Sequence, residues 1–118
     1  MEKFDFEKLN VYQKALDFTD RICDLFEKMP FSIQKTIGDN LLRAAISIAS
    51  NIAEGSGRRG KREKKHFFEI AQGSAYECVP SLAILHKRNK IKKEVYENLY
   101  NECCTISKML TGLISRFV

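Results

Sequence analysis

At 118 residues, 44% hydrophobic and 30% charged, the chain is long enough to bury a core without disulfide or metal staples and too apolar to be disordered. Its length suits one domain, residues 1–118, and its two prolines and six glycines point to long regular elements. The net charge of +5 is unevenly spread: residues 1–57 sum to −2, residues 58–93 to +8 and residues 94–118 to −1, a pattern that attracts polyanions to the middle third. No run of about 18 apolar residues offers a membrane span. The opening MEKFDFEKLN lacks the basic and apolar regions of a secretory signal, so a cytoplasmic location is expected.

Phe4, Phe6 and Leu9 form a lead-in expected to pack on the body of the protein. Asn10 is a plausible N-cap with Gln13 reaching back to it. Val11, Ala15, Phe18, Ile22, Leu25 and Met29 then recur at helical spacing, with Tyr12, Leu16, Thr19, Cys23 and Phe26 beside them. The spacing predicts a first helix over about 11–28 with a broad apolar face, stopped by Pro30. Ser32 can cap a second helix over about 33–54, whose row is Ile33, Ile37, Leu41, Ala44/Ala45, Ile48 and Ile52. Its small residues, Ala44, Ala45, Ser47, Ala49, Ser50 and Ala53, allow close helix approach, and Gly55 fits a left-handed helix end. A third helix is predicted over about 61–87 from Phe67, Ala71, Ser74, Cys78, Leu82 and Leu85. Pro80 inside it is expected to kink the helix, with a break as the alternative. Asn89 and its basic neighbours make the next turn, and Val95, Leu99, Cys103, Ile106, Leu110, Leu113 and Phe117 predict a fourth helix over about 92–116. No segment alternates with period two. The fold class is therefore all-α, an antiparallel up-down-up-down four-helix bundle. In it the 2–3 turn shares an end with both termini, and the 3–4 turn lies at the other end.

Two basic clusters follow from this placement. Arg58, Arg59, Lys61, Arg62, Lys64 and Lys65 lie on the 2–3 turn and the start of helix 3, opposed locally by Glu63 alone. Helix N-termini favour negative charge, so cations there repel the dipole unless an anion is bound. The run is assigned as the nucleic-acid-binding candidate, against the bland alternative of a solubilising face. With only His66, Phe67 and Phe68 nearby, contact is expected to be electrostatic and not base-reading. Lys87, Arg88, Lys90, Lys92 and Lys93 form a secondary cluster about 40 Å away along helix 3.

Other motifs carry less. Gly55–Gly60 spells GxGxxG, but a helix precedes it where a dinucleotide site needs a strand, so it reads as a turn using glycine for positive φ. Glu63 and His66 form an ExxH whose second copy is missing, because Ala83 stands three residues before His86. The four cysteines form no CxxC and read as buried free thiols, with Cys103 and Cys104 on different sides of a helix. Asn51, Glu54 and Glu77 sit near apolar rows as a buried polar network or a subunit boundary. No metal, cofactor, small-molecule substrate or catalytic constellation is expected.

The string Ser47-Ile48-Ala49-Ser50-Asn51-Ile52-Ala53-Glu54-Gly55, with Asp39–Ile46 before it, Phe68, Ala71 and Gly73–Glu77 after it and Leu9–Ala15 at the start, resembles the bacterial four-helix-bundle family of ribosomal RNA intervening-sequence proteins. The resemblance covers nearly the whole chain. It implies an antiparallel bundle, often assembled as a homopentameric ring, and a relation to the basic accessory protein of diversity-generating retroelements, which works with a reverse transcriptase and nucleic acid. The expected function is a non-enzymatic, self-associating bundle that binds nucleic acid, RNA favoured, through backbone phosphates. The alternative is a protein-interaction adaptor or scaffold that docks an acidic partner on its basic end.

Overall fold

The computed structural model describes residues 1–117. A 3-10 turn, Asp5–Lys8, leads into α1 (Asn10–Glu27), α2 (31–57), α3 (Lys61–Lys87) and α4 (Lys93–Ser115), and no strand occurs among the described residues. α2 is one continuous helix whose first turns are Phe31–Ile33 and a π turn, Gln34–Gly38, ahead of Asp39–Gly57. Each helix packs on its neighbours in chain order and α1 closes against α4, which is the up-down-up-down bundle that the four apolar rows predict.

The core is the sum of those rows. Phe18, Ile22, Leu41, Ile48, Ile52, Phe68, Leu82, Leu85, Ile106 and Leu110 are buried, and alanines 15, 44, 45, 71 and 75 lie between them. Small side chains let α2 approach both neighbours. Thr19 Oγ1 sits 2.8 Å from the Ala15 carbonyl and 3.1 Å from the Ala45 carbonyl, sharing its proton between α1 and α2. Asn51 Nδ2 donates to the Ser47 carbonyl (2.8 Å) and to Ser47 Oγ (2.9 Å), and Ser74 Oγ donates to the same hydroxyl at 2.8 Å, tying α2 to α3. Of the three polar residues suspected of forming a network, Asn51 does so with the two serines. Glu54 and Glu77 are exposed.

The helix ends depart from the sequence reading in several places. Asn10 is already helical and Leu9 is the N-cap; Gln13 Nε2 donates to the Glu7 carbonyl at 2.8 Å instead of reaching Asn10. Pro30, not Ser32, caps α2, because a proline's fixed φ suits the residue leading into a helix and α1 has already ended at Glu27. Phe4 is exposed, stacked on Phe6 (centroids 5.6 Å apart), while Phe6 lies edge-on to Tyr12 at 5.1 Å and Leu9 packs against the core. α3 runs unbroken through Pro80. Pro80 and Tyr76 are both exposed, so the missing hydrogen bond lies on the solvent-facing side of the helix. The thiols divide: Cys78 and Cys103 are buried, Cys23 is half-buried and Cys104 is exposed, which corrects the expectation of four buried thiols. Hydrogen bonding with Cys103, followed by burial, pushes the Cys78 thiol up from its ordinary range and leaves it a poor nucleophile.

Gly55 is the largest departure. α2 continues through it to Gly57, and no glycine among the described residues has positive φ. The left-handed position belongs instead to Asn89, at φ 59° in the α3–α4 turn. Gly55 is required for space: a Cβ there would lie 2.8 Å from Phe68 Cε1 and 3.1 Å from Phe67 Cβ. Gly55→Ala is therefore expected to lower stability by about 1–2 kcal/mol, because overpacking of about 1–3 kcal/mol exceeds the helix-propensity gain of at most about 1 kcal/mol. Gly112→Ala, whose Cβ meets nothing within 4 Å inside α4, is expected to raise stability by about 0.5–1 kcal/mol. Urea melts check both, and a stabilising Gly55→Ala would remove the close-packing account.

Candidate nucleic-acid interface

The first cluster is built where α2 ends and α3 begins, at the end of the bundle that also holds the described chain ends. A shallow cavity there is lined by Phe6, Leu9, Ser56, Lys64, Phe68 and Phe117, among others, which places the lead-in, the α2–α3 turn and the end of α4 together as the topology requires. Phe68 and Phe117 stack obliquely with centroids 5.7 Å apart.

The six predicted cations do not play one role. Arg58 is held by Glu54 (3.3 Å) and Glu63 (3.7 Å), and its guanidinium lies 4.7 Å from the Phe67 ring centroid. Its Nε is buried without a hydrogen-bond partner among the described residues, a cost tolerated because the two ion pairs and the ring hold the group in place. Lys64 is half-buried and donates to the Ser56 carbonyl at 2.8 Å, satisfying one of the free carbonyls near the end of α2. Arg59, Lys61 and Arg62 are exposed, Lys65 is half-exposed, and none of the four has an ion-pair partner among the described residues.

Beneath these four lies an uncapped helix start. Gly60 is the N-cap of α3 and has no side chain to offer. The N–H groups of Lys61, Arg62 and Glu63 have no helical partner, while that of Lys64 closes on the Gly60 carbonyl at 3.0 Å. Free N–H groups, the positive end of the helix dipole and four unpaired cations coincide, which is the chemistry of an anion site. His66 is exposed beside this face, edge-on to Phe67 at 5.4 Å. Phe68, not Phe67, leads the buried row of α3, because residue 67 is turned aside to support Arg58.

Lys87, Arg88, Lys90, Lys92 and Lys93 are exposed around the α3–α4 turn, also without carboxylate partners among the described residues. A 27-residue α3 separates the two clusters by about 40 Å, in a molecule whose longest extent is 44 Å. They do not form one pocket. The second cluster also has aromatic company that the apolar rows do not reveal. His86 and Tyr96 stack face to face (centroids 4.6 Å, planes 3° apart), and Tyr100 follows at 6.0 Å from Tyr96. The signal was the spacing of Tyr96 and Tyr100, one helical turn apart directly after Lys92 and Lys93.

No group of three or more His, Cys, Asp or Glu residues able to hold a metal occurs among the described residues. None of their helices is long and apolar enough to cross a membrane.

Fold and charge together define a four-helix-bundle protein with a concentration of cations at each end. The model of the 23S rRNA-intervening sequence protein family matches residues 7–112. The chain belongs to that family. Among solved structures it is similar to a protein of unknown function of the S23 ribosomal protein family from Bacteroides thetaiotaomicron, with 30% identity, a TM-score of 0.80 and coverage of 88% of this chain and 97% of that one. The comparison with curated proteins gave no match.

Proposed function

We propose that the protein is a non-enzymatic bundle that binds structured RNA through its phosphate backbone at the start of α3, and that it self-associates. The carrying observation is the set of exposed, unpaired cations Arg59, Lys61 and Arg62 on a helix N-terminus whose N–H groups lack a cap. Arg58 and Lys64 build this surface, and Arg59, Lys61, Arg62 and Lys65 meet the phosphates. Membership of a family named for ribosomal RNA genes favours RNA over other polyanions. The pentameric ring implied by the family resemblance would repeat the patch around one end, so that individually weak contacts add as avidity. A cytoplasmic location accords with this reading.

The test is an electrophoretic shift with a structured RNA hairpin across a salt series. Affinity is expected to fall with a log–log slope of roughly −3 to −4, about 0.9 for each of four phosphate contacts. Binding independent of salt, or no binding at low salt, overturns the proposal. Salt-sensitive binding to an acidic protein with none to RNA or DNA would instead establish the adaptor reading.

A further inference from the structure

We propose that the seam between α3 and α4 is a second site, which takes unpaired nucleobases by stacking while the α3–α4 turn holds their phosphates. The inference rests on the reading that the protein binds nucleic acid, and it adds the class of strand bound at the end opposite the α3 N-terminus.

The seam is bridged near the middle of α3 and grooved beside the bridge. Near the middle of α3, Gln72 Nε2 donates to the Ser107 carbonyl (2.9 Å) and to Thr111 Oγ1 (2.8 Å), joining α3 to α4. Beside that junction lies a groove of about 370 Å³ lined by Tyr76, Val79, Tyr100, Cys104 and Lys108, among others. Tyr76 is 58% exposed and Tyr100 43%, so both rings offer surface to a ligand. From Tyr100 the aromatic surface continues through Tyr96 to His86, and Lys87 and Arg88 follow immediately in the chain. The result is a run of three neighbouring rings, with Tyr76 lining the same groove from α3, leading toward a turn with five exposed cations.

Aromatic rings beside a cationic track are the means by which proteins hold single strands, since every base has a π face and every nucleotide a phosphate. Base-paired RNA buries those faces in its own stack and cannot use the rings. An apolar peptide would fill the groove but leave the five cations without counter-charge. Glu94 and Glu97, on the first turns of α4, are exposed and form no ion pair with the cluster. Charge and ring placement together therefore select a single-stranded nucleic acid as the occupant.

The experiment is fluorescence anisotropy with a labelled oligoadenylate about ten nucleotides long, an abasic strand of equal length and charge, and a base-paired hairpin. The 118-residue protein is expected to prefer oligoadenylate over the abasic strand by about tenfold, as stacking of one or two bases supplies. Tyr76→Ala with Tyr100→Ala removes that preference, and Tyr76→Phe with Tyr100→Phe keeps it. Both variants lie at exposed positions, and sedimentation of each is measured alongside. Equal affinity for oligoadenylate and the abasic strand overturns the proposal, as does an alanine variant that keeps the preference. An alanine variant that changes the oligomer and leaves the preference intact overturns it by giving the groove to a second copy of the chain. Competition by polyglutamate as effective as that by oligoadenylate overturns it in favour of an acidic protein. Hairpin binding without any oligoadenylate preference refutes the seam and leaves the α3 contact standing. Loss of hairpin binding with the preference kept refutes the α3 contact alone.

Discussion

Phe68→Ala is expected to destabilise the bundle by about 3–5 kcal/mol, the usual cost of emptying a fully packed aromatic site. Phe68 is 2% exposed and fills the space above Gly55, with Phe117 against its other side. Alanine at 68 removes the contact that joins α2, α3 and the end of α4 where both described chain ends converge. Collapse into the void is limited because Gly55 has no side chain to move into it. Phe67→Ala makes the contrast. Phe67 is half-buried and its ring supports Arg58, so its loss is expected to cost about 1 kcal/mol, a modest cation–π term plus partial burial. Denaturant melts of the two variants settle the order. If Phe67→Ala costs as much as Phe68→Ala, the assignment of the core position is wrong.

The second large effect falls on binding. Replacing Arg59, Lys61 and Arg62 together with Gln is expected to weaken hairpin binding by about a hundredfold at about 0.15 M salt and to flatten the salt slope by roughly 2.7, because three counterion-releasing contacts are lost. The fold should be unaffected, since all three side chains are exposed and none forms an ion pair among the described residues. Arg58→Gln is the informative opposite. It breaks two ion pairs and the contact with Phe67, so stability falls while the salt slope holds. A triple variant with the wild-type slope would mean that the phosphates are met elsewhere; a slope that drops for Arg58→Gln alone would mean that the division of roles between these cations is mistaken.

The four helices were legible because each apolar row repeats at helical spacing for five turns or more, and α3 was predicted at its observed bounds of Lys61–Lys87. Ends were less legible. Asn10 and Ser32 have the right chemistry for caps, yet Leu9 and Pro30 occupy those positions, because the direction of chain entry is set by packing of the lead-in and by the turn between α1 and α2. The Ser47–Gly55 string illustrates both sides. As a string it marks the family. Its physical content emerges only when α3 is laid against it: Ser47 and Asn51 join Ser74, Ile52 enters the core, and Gly55 makes room for Phe68.

Composition, periodicity and charge placement by themselves determined the all-helical class, the order of the helices and the concentration of positive charge at the two turns flanking α3. These are properties of short sequence separations, where spacing along the chain maps directly onto one face of one helix. Which cations remain available was decided only when the α2–α3 turn folded and brought the two helix ends together. Arg58 and Lys64 look like their neighbours in the sequence, but one meets Glu54, Glu63 and Phe67 and the other meets the Ser56 carbonyl. The alignment of His86, Tyr96 and Tyr100 was likewise a tertiary result, since it depends on how α3 and α4 pack across the turn at Asn89. A side chain's charge is local information; whether that charge is already spent depends on groups brought to it by folding.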